Sequence, residues 1–177
     1  MAQNIILIQA EPADAEAVRA ALIDSGNSAF QLEWVTSCAE GLKCLASEGT
    51  QGGDEISAVL LDLFLPDSQG IETFDQIFHA APQIPILVLS ASQHEDVAKL
   101  AVQRGAQDYL LQARLDDYLL PKSLRNMIER AANAEALFEE KERAQVTLNS
   151  IGDAVMSSDV RGNVVEMDML GNVVRQW

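Results

Sequence analysis

Four short segments of this sequence place polar residues where an apolar run ends: Ile8 to Pro12, Asp62 to Pro66, Ser90 to Ala91, and Gln112 to Arg114. Asp62 follows Ala58-Val59-Leu60-Leu61 and offers a carboxylate, a group able to act as a nucleophile. Ser90 follows Ile86-Leu87-Val88-Leu89 and offers a hydroxyl that both donates and accepts hydrogen bonds. A carboxylate closing a strand in a turn, and a serine in a loop, are also ordinary structure. Glu11 and Asp14 stand where a helix should begin, and negative charge is favourable there whatever its use. His79 and His94 have no companion at metal-ligand spacing. Cys38 and Cys44 fall six positions apart in one helical segment, a poor disulfide spacing. Free cysteines of this kind usually fill core space.

Whether the four segments meet depends on the elements between them. Up to about residue 119 short apolar runs alternate with amphipathic stretches. Ile5-Ile6-Leu7-Ile8 is a first strand, and Ala15, Val18, Ala21 and Leu22 recur at helical spacing after Pro12. Phe30, Leu32, Trp34 and Thr36 alternate with Gln31, Glu33 and Val35, the pattern of a half-buried strand. Thr36 or Ser37 can cap the next helix, which presents Cys38, Leu42 and Leu45. A third strand spans Ala58 to Leu61, and a helix after Gly70 carries Ile71, Phe74, Ile77 and Phe78. Pro82 and Pro85 frame the fourth apolar run, a fourth helix carries Val97, Leu100 and Ala101 and stops at Gly105, and Tyr109-Leu110-Leu111 is a fifth strand. Five short apolar strands separated by helices predict an α/β fold, a doubly wound five-stranded parallel sheet with helices on both faces. In such a sheet the four segments lie at the carboxyl ends of the strands, where ligands bind near the switch in strand order.

Three segments resemble the response-regulator receiver family. Leu60-Leu61-Asp62-Leu63-Phe64-Leu65-Pro66-Asp67-Ser68-Gln69-Gly70-Ile71-Glu72 is similar to its phosphoacceptor segment, Pro85 to Ala91 to its fourth strand, and Gly105-Ala106-Gln107-Asp108-Tyr109-Leu110 to its fifth. The likeness covers roughly residues 4 to 130. It implies a flavodoxin-like receiver fold, with Asp62 at the phosphoacceptor position, Ser90 at that of the hydroxyl sensing the phosphoryl group, and Tyr109 at that of the aromatic switch. It also implies a histidine kinase or other signalling protein as partner.

The departures from that pattern bear on function. The family has two adjacent acids after the first strand, which hold Mg²⁺ together with the phosphoacceptor; here those positions are Gln9 and Ala10. The Lys that follows the fifth strand is Gln112, and the Pro that often follows it is Ala113. Phosphoryl transfer depends on positioning and on neutralising charge at the equatorial oxygens. Loss of metal and lysine together, at about 4 kcal/mol, slows it roughly a thousandfold. Mg²⁺ is therefore expected to bind weakly if at all, through Glu11 and Asp62, with Glu11 reaching from one position beyond the usual pair. The expected protein is an atypical receiver, not an enzyme, acting by protein–protein interaction and dimerisation. The alternative is a working phosphoacceptor phosphorylated at Asp62 by a histidine kinase. Gly52-Gly53-Asp54-Glu55-Ile56 resembles the signature of diguanylate cyclases, but that signature ends in Phe, and the segment comes too early in the chain for the rest of such a domain.

The rest of the sequence reads differently. Residues 1–119 read as the receiver, 120–148 as a helical linker, and 149–177 as a truncated start of another domain. Pro121 suits the first turn of a long C-terminal helix. Leu124, Met127, Ala131, Ala134, Phe138, Lys141, Gln145 and Leu148 follow the 3-4 spacing of a coiled-coil seam, so a homodimer is expected. Leu148 to Asp159 resembles the opening of a PAS sensory domain, and the remaining residues are expected to form a hairpin at most. Gly162-Asn163-Val164-Val165 recurs as Gly171-Asn172-Val173-Val174, a repeat the sequence alone does not explain.

With 12 basic and 27 acidic residues the formal charge is −15, which argues against phosphate-backbone binding and against an anionic membrane surface. No run approaches the ~18 apolar residues that span a bilayer. Free thiols and an N-terminus without a positive start suit the cytoplasm.

Overall fold

The computed structural model describes residues 3–23, 30–47, 55–150 and the strands at 155–158, 164–167 and 173–176, with side chains through residue 146. Contacts divide the chain into two compact units, Met1–Ala131 and Ala132–Trp177.

The first unit is the expected five-stranded sheet. Its strands are Gln3–Ile8 (β1), Phe30–Val35 (β2), Ile56–Asp62 (β3), Ile86–Ser90 (β4) and Asp108–Leu111 (β5). All pairs are parallel and the order is β2-β1-β3-β4-β5, the flavodoxin-like arrangement. The helices are Pro12–Ile23 (α1), Cys38–Ser47 (α2), Ile71–Ala80 (α3), Glu95–Arg104 (α4) and the 32-residue Leu119–Ser150 (α5). Strands buried on both faces need apolar residues at every position, which is why β1, β3 and β4 read as unbroken runs. Alternate residues serve opposite faces. Ile6, Ile8, Val59, Leu61, Ile86 and Val88 pack with Phe74 and Ile77 of α3 and with Ala98 and Ala101 of α4. Ile5, Leu7, Leu60, Leu87 and Leu89 pack with Val18 and Leu22 of α1 and with Leu120, Leu124 and Met127 of α5.

Gly105 ends α4 as expected and adopts φ 124°, a conformation that side chains disfavour; an added Cβ would also meet the Phe78 ring at 3.0 Å. Ser37 caps α2, its Oγ accepting from Glu40 N–H at 3.3 Å, while Glu40 Oε2 accepts from Thr36 N–H at 2.9 Å. A second cap comes from far away in sequence. Asp67 accepts from Cys38 N–H and Ala39 N–H, both at 2.9 Å, and so fastens the loop after β3 to the start of α2. Those bonds, Ala39 N–H foremost, hold the Asp67 carboxyl below the ordinary carboxylate value. Its contribution is therefore present above the unfolded value of 3.8 and is lost as pH falls through the lowered folded value. Asp67→Ala should cost about 1 kcal/mol at neutral pH. Thermal melts should show the deficit shrinking toward pH 3.

Three expectations are corrected. In β2 the alternation holds from Phe30 to Glu33, with Phe30 and Leu32 packed on the core, and then fails: the strand ends at Val35, Trp34 is 45% exposed, and Val35 packs on the core. The Trp34 ring turns outward because its Nε1–H is tied at 2.8 Å to the carbonyl of Gln9. Leu124 and Met127, assigned to a coiled-coil seam, are buried in the receiver's own core; from residue 132 to 146 the helix is exposed. Finally, the C-terminal unit holds more than a hairpin. Val155–Ser158 (β6), Val164–Met167 (β7) and Val173–Gln176 (β8) form an antiparallel sheet in the order β6-β7-β8. The repeat now has an account: each Val-Val opens a strand, β7 or β8, and each Gly-Asn precedes one. The Gly-Asn pairs themselves, Gly52 to Asp54, and much of the PAS-like segment lie outside the described residues.

Candidate functional site

The strand order reverses between β1 and β3, and the register brings their carboxyl ends level: Ile8 stands beside Leu61. Gln9 follows β1, Asp62 is the last residue of β3, Ser90 is the last of β4, and Gln112 opens a 3-10 turn directly after β5. Pairing of Asp62 with Leu89 and of Ser90 with Leu111 keeps these ends at one edge.

Asp62 is at the centre. Its Oδ1 accepts from Phe64 N–H at 2.9 Å, and its Oδ2 lies 3.4 Å from the Gln112 amide nitrogen, a long hydrogen bond. Gln9, 1% exposed, lies close enough to stabilise the charged carboxylate but without hydrogen-bond geometry, since its Nε2 is buried and has no partner. The Gln9 Oε1 accepts from Glu11 N–H at 3.2 Å. Burial pushes the Asp62 carboxyl above its ordinary value of 3.8; the Phe64, Gln9 and Gln112 donors oppose this and the charge of Asp14 adds to it.

An acid with a raised folded-state pKa holds its proton longer when folded. Its favourable contribution is complete below the unfolded value and is lost as pH rises through the folded one. Asp62→Asn, which removes the charge and keeps the shape, should therefore stabilise the receiver at neutral pH by about 1 kcal/mol, a Tm gain of roughly 2–4 °C for a chain of this size. The same melts below pH 3.8 should show no gain.

The structure brings Gln9, Asp62 and Gln112 together. Ser90 reaches the same edge, but its hydroxyl donates at 3.0 Å to the carbonyl of Ala91. Tyr109 is half-buried on β5, and its hydroxyl donates at 2.8 Å to Glu95, which also pairs with Lys99 at 3.1 Å. Hydrogen bonding to the ionised Glu95, together with burial, raises the Tyr109 phenol. Three neighbours of the site escaped the sequence: the Trp34 anchor on Gln9, Glu95 on Tyr109, and a stack of Phe64 on His94 with ring centroids 3.9 Å apart at 25°. The position of His94 just past β4 was the one available signal, because stacking partners leave no periodic trace.

A profile of the response regulator receiver domain matches residues 5–122. The chain belongs to that family. Among curated relatives of the receiver, the transcriptional regulatory protein MalR of Bacillus subtilis is 27% identical over 154 residues, 80% of this chain and 62% of MalR. The nitrate/nitrite response regulator protein NarL of Escherichia coli is 33% identical over 100 residues, 54% of this chain and 44% of NarL. The chain thus spans about half the length of the curated relatives it matches. Among solved structures, the signal receiver domain of an HD domain-containing protein from Pseudomonas fluorescens superposes with a TM-score of 0.64 at 20% identity, over 76% of this chain and 93% of that one. That likeness bears on fold alone. MalR carries transcriptional regulation in its name, so the relatives lend no support to the expectation of no nucleic-acid partner.

The donor set at the receiver's carboxyl edge does not fit Mg²⁺, which binds through hard oxygen ligands, carboxylates above all. The Gln9 amide oxygen is already taken by Glu11 N–H, Ala10 has no side-chain donor, and Glu11 joins no group of three or more ligating side chains among the described residues. No helix among the described residues is long and apolar enough to cross a membrane.

Proposed function

We propose that this receiver is atypical: it takes phosphoryl groups poorly or not at all at Asp62 and acts through protein–protein contacts, with α5 as its output. The observation that carries this reading is the company of the Asp62 carboxyl. Its donors are a backbone N–H and the neutral amide of Gln112, with the Gln9 amide alongside. A phosphoryl group on Asp62 would put nearly two negative charges, in place of the carboxylate's one, at a half-buried edge that Asp14 already makes unfavourable. Without the acidic pair or the lysine, little neutralises them. Ser90 and Tyr109 keep the switch positions of the family, and a histidine kinase or another signalling protein is the partner they would serve. The helix and the PAS-like residues after it suit a regulatory segment, in a dimer.

Intact mass after incubation with acetyl phosphate and Mg²⁺ tests the reading, with Asp62→Ala as control. The expected spectrum is unchanged. A phosphate-sized gain on the parent and none on the variant would instead establish a working phosphoacceptor and send attention to Glu11 as a metal ligand.

A further inference from the structure

At the amino ends of β4 and β5, away from Asp62, the sheet and α5 leave a cleft of about 80 Å³. Its polar lining is Gln107, Asp108, Ser123, Asn126 and Arg130, and the buried core residues Leu87 and Met127 supply the apolar part. The strand register places it there. Leu87 pairs with Asp108 at the start of β5, whereas the same two strands reach the Asp62 edge only at Ser90 and Leu111. Ser123, Asn126 and Arg130 are spaced by three and then four positions, so they share one face of α5.

Two opposite charges line this cleft without meeting. Asp108 Oδ1 accepts from Tyr109 N–H at 2.8 Å, which fixes the carboxylate by one oxygen. Among the described residues no ion pair joins Arg130 to Asp108 or to any other carboxylate. A guanidinium clasps a carboxylate through paired donors, and a carboxylate accepts from an ammonium. Gln107, Ser123 and Asn126 add neutral donors and acceptors beside them. The formal charge of −15 disfavours a plain anion such as acetate or phosphate, and a ligand that carries its own positive end escapes that repulsion. Size narrows the choice further. At roughly 10–15 Å³ for each water-sized group the cleft takes about five to eight of them, and glycine, alanine and serine have about five to seven non-hydrogen atoms. We infer that the cleft binds a small free α-amino acid, its carboxylate on Arg130, its ammonium on Asp108 and its short side chain against Leu87 and Met127. The ligand ties the start of β5 to the last turns of α5 within the receiver unit, which ends at Ala131. Occupancy is then an input to that helix that needs no phosphoryl group on Asp62.

Titration calorimetry and thermal melts of the full chain read this directly. L-Alanine should bind with a Kd of about 1 mM, and at about 10 mM it should raise the Tm by roughly 3–5 °C. N-Acetylalanine, which lacks the ammonium, and alaninamide, which lacks the carboxylate, should each bind about tenfold more weakly or worse. Arg130→Gln and Asp108→Asn should weaken alanine binding by a similar factor. Asparagine keeps the acceptor for Tyr109 N–H, so the start of β5 is preserved. Glu129→Gln, at an exposed neighbouring position, should leave binding unchanged. The ligand series on the parent chain decides the matter even where a variant folds poorly. Absence of heat and of any Tm change with glycine, alanine or serine at about 50 mM, far above the expected Kd, overturns the inference. So does acetate binding as tightly as alanine, which would make the cleft a carboxylate site, or an alanine affinity that survives both substitutions.

Discussion

A chain carrying Gln9→Asp, Ala10→Asp and Gln112→Lys together is expected to form an acyl phosphate on Asp62 with acetyl phosphate and Mg²⁺, roughly a thousandfold faster than the parent. The estimate takes metal and lysine as worth about 4 kcal/mol of transition-state stabilisation, at a factor of ten for each 1.4 kcal/mol. The three replacements act on one edge, because Gln9 and Gln112 already flank the Asp62 carboxyl. They carry a second, opposite expectation. Without metal, three carboxylates gathered at a half-buried edge repel, so the variant should melt below the parent, and millimolar Mg²⁺ should recover the loss. Gln112→Lys alone should lower the Asp62 pKa but bring little phosphorylation. A variant that melts normally, ignores Mg²⁺ and stays unphosphorylated would show that something other than these three positions disables the site.

Phe74→Ala should be the most damaging single truncation in the receiver. Phe74 of α3 is fully buried against the sheet and stacks on Phe78 with centroids 5.4 Å apart. Truncating a phenylalanine in such a place costs about 3–5 kcal/mol, a large part of the 5–15 kcal/mol that holds a domain together. Urea unfolding should show the midpoint falling with the slope unchanged. Glu140→Ala on the exposed part of α5 should move it by less than about 0.5 kcal/mol. Equal losses from the two variants would mean that the packing around Phe74 is not the core described.

The sheet was legible because its signal is local and redundant. Ile5 to Ile8, Ala58 to Leu61 and Ile86 to Leu89 are apolar at every position for the plain reason that both faces are covered. Pro12 at the start of α1 and Gly105 at the end of α4 mark their boundaries by backbone geometry alone. The central trio of the site was legible for a related reason: parallel strands bring their carboxyl ends to one edge, so strand order alone gathers Gln9, Asp62 and Gln112. Contacts that depend on how a loop turns left no such trace. Asp67 caps a helix 29 positions earlier, Tyr109 finds Glu95, and Phe64 finds His94. Leu124 and Met127 fit a coiled-coil seam and a receiver core equally well by spacing, since both demand the same helical face. In β2 the period of two suggested Trp34 as a buried residue, and one hydrogen bond to Gln9 overrode it.

That bond also makes Trp34 an optical gauge. The chain has two tryptophans, and this indole is half in water while its N–H is fastened to the residue beside Asp62. Any event that shifts Gln9, whether a docking partner or a proton on the carboxylate, moves the fluorophore between solvent and protein. The colour and quenching of its emission therefore follow the edge of the sheet in real time, with no label attached.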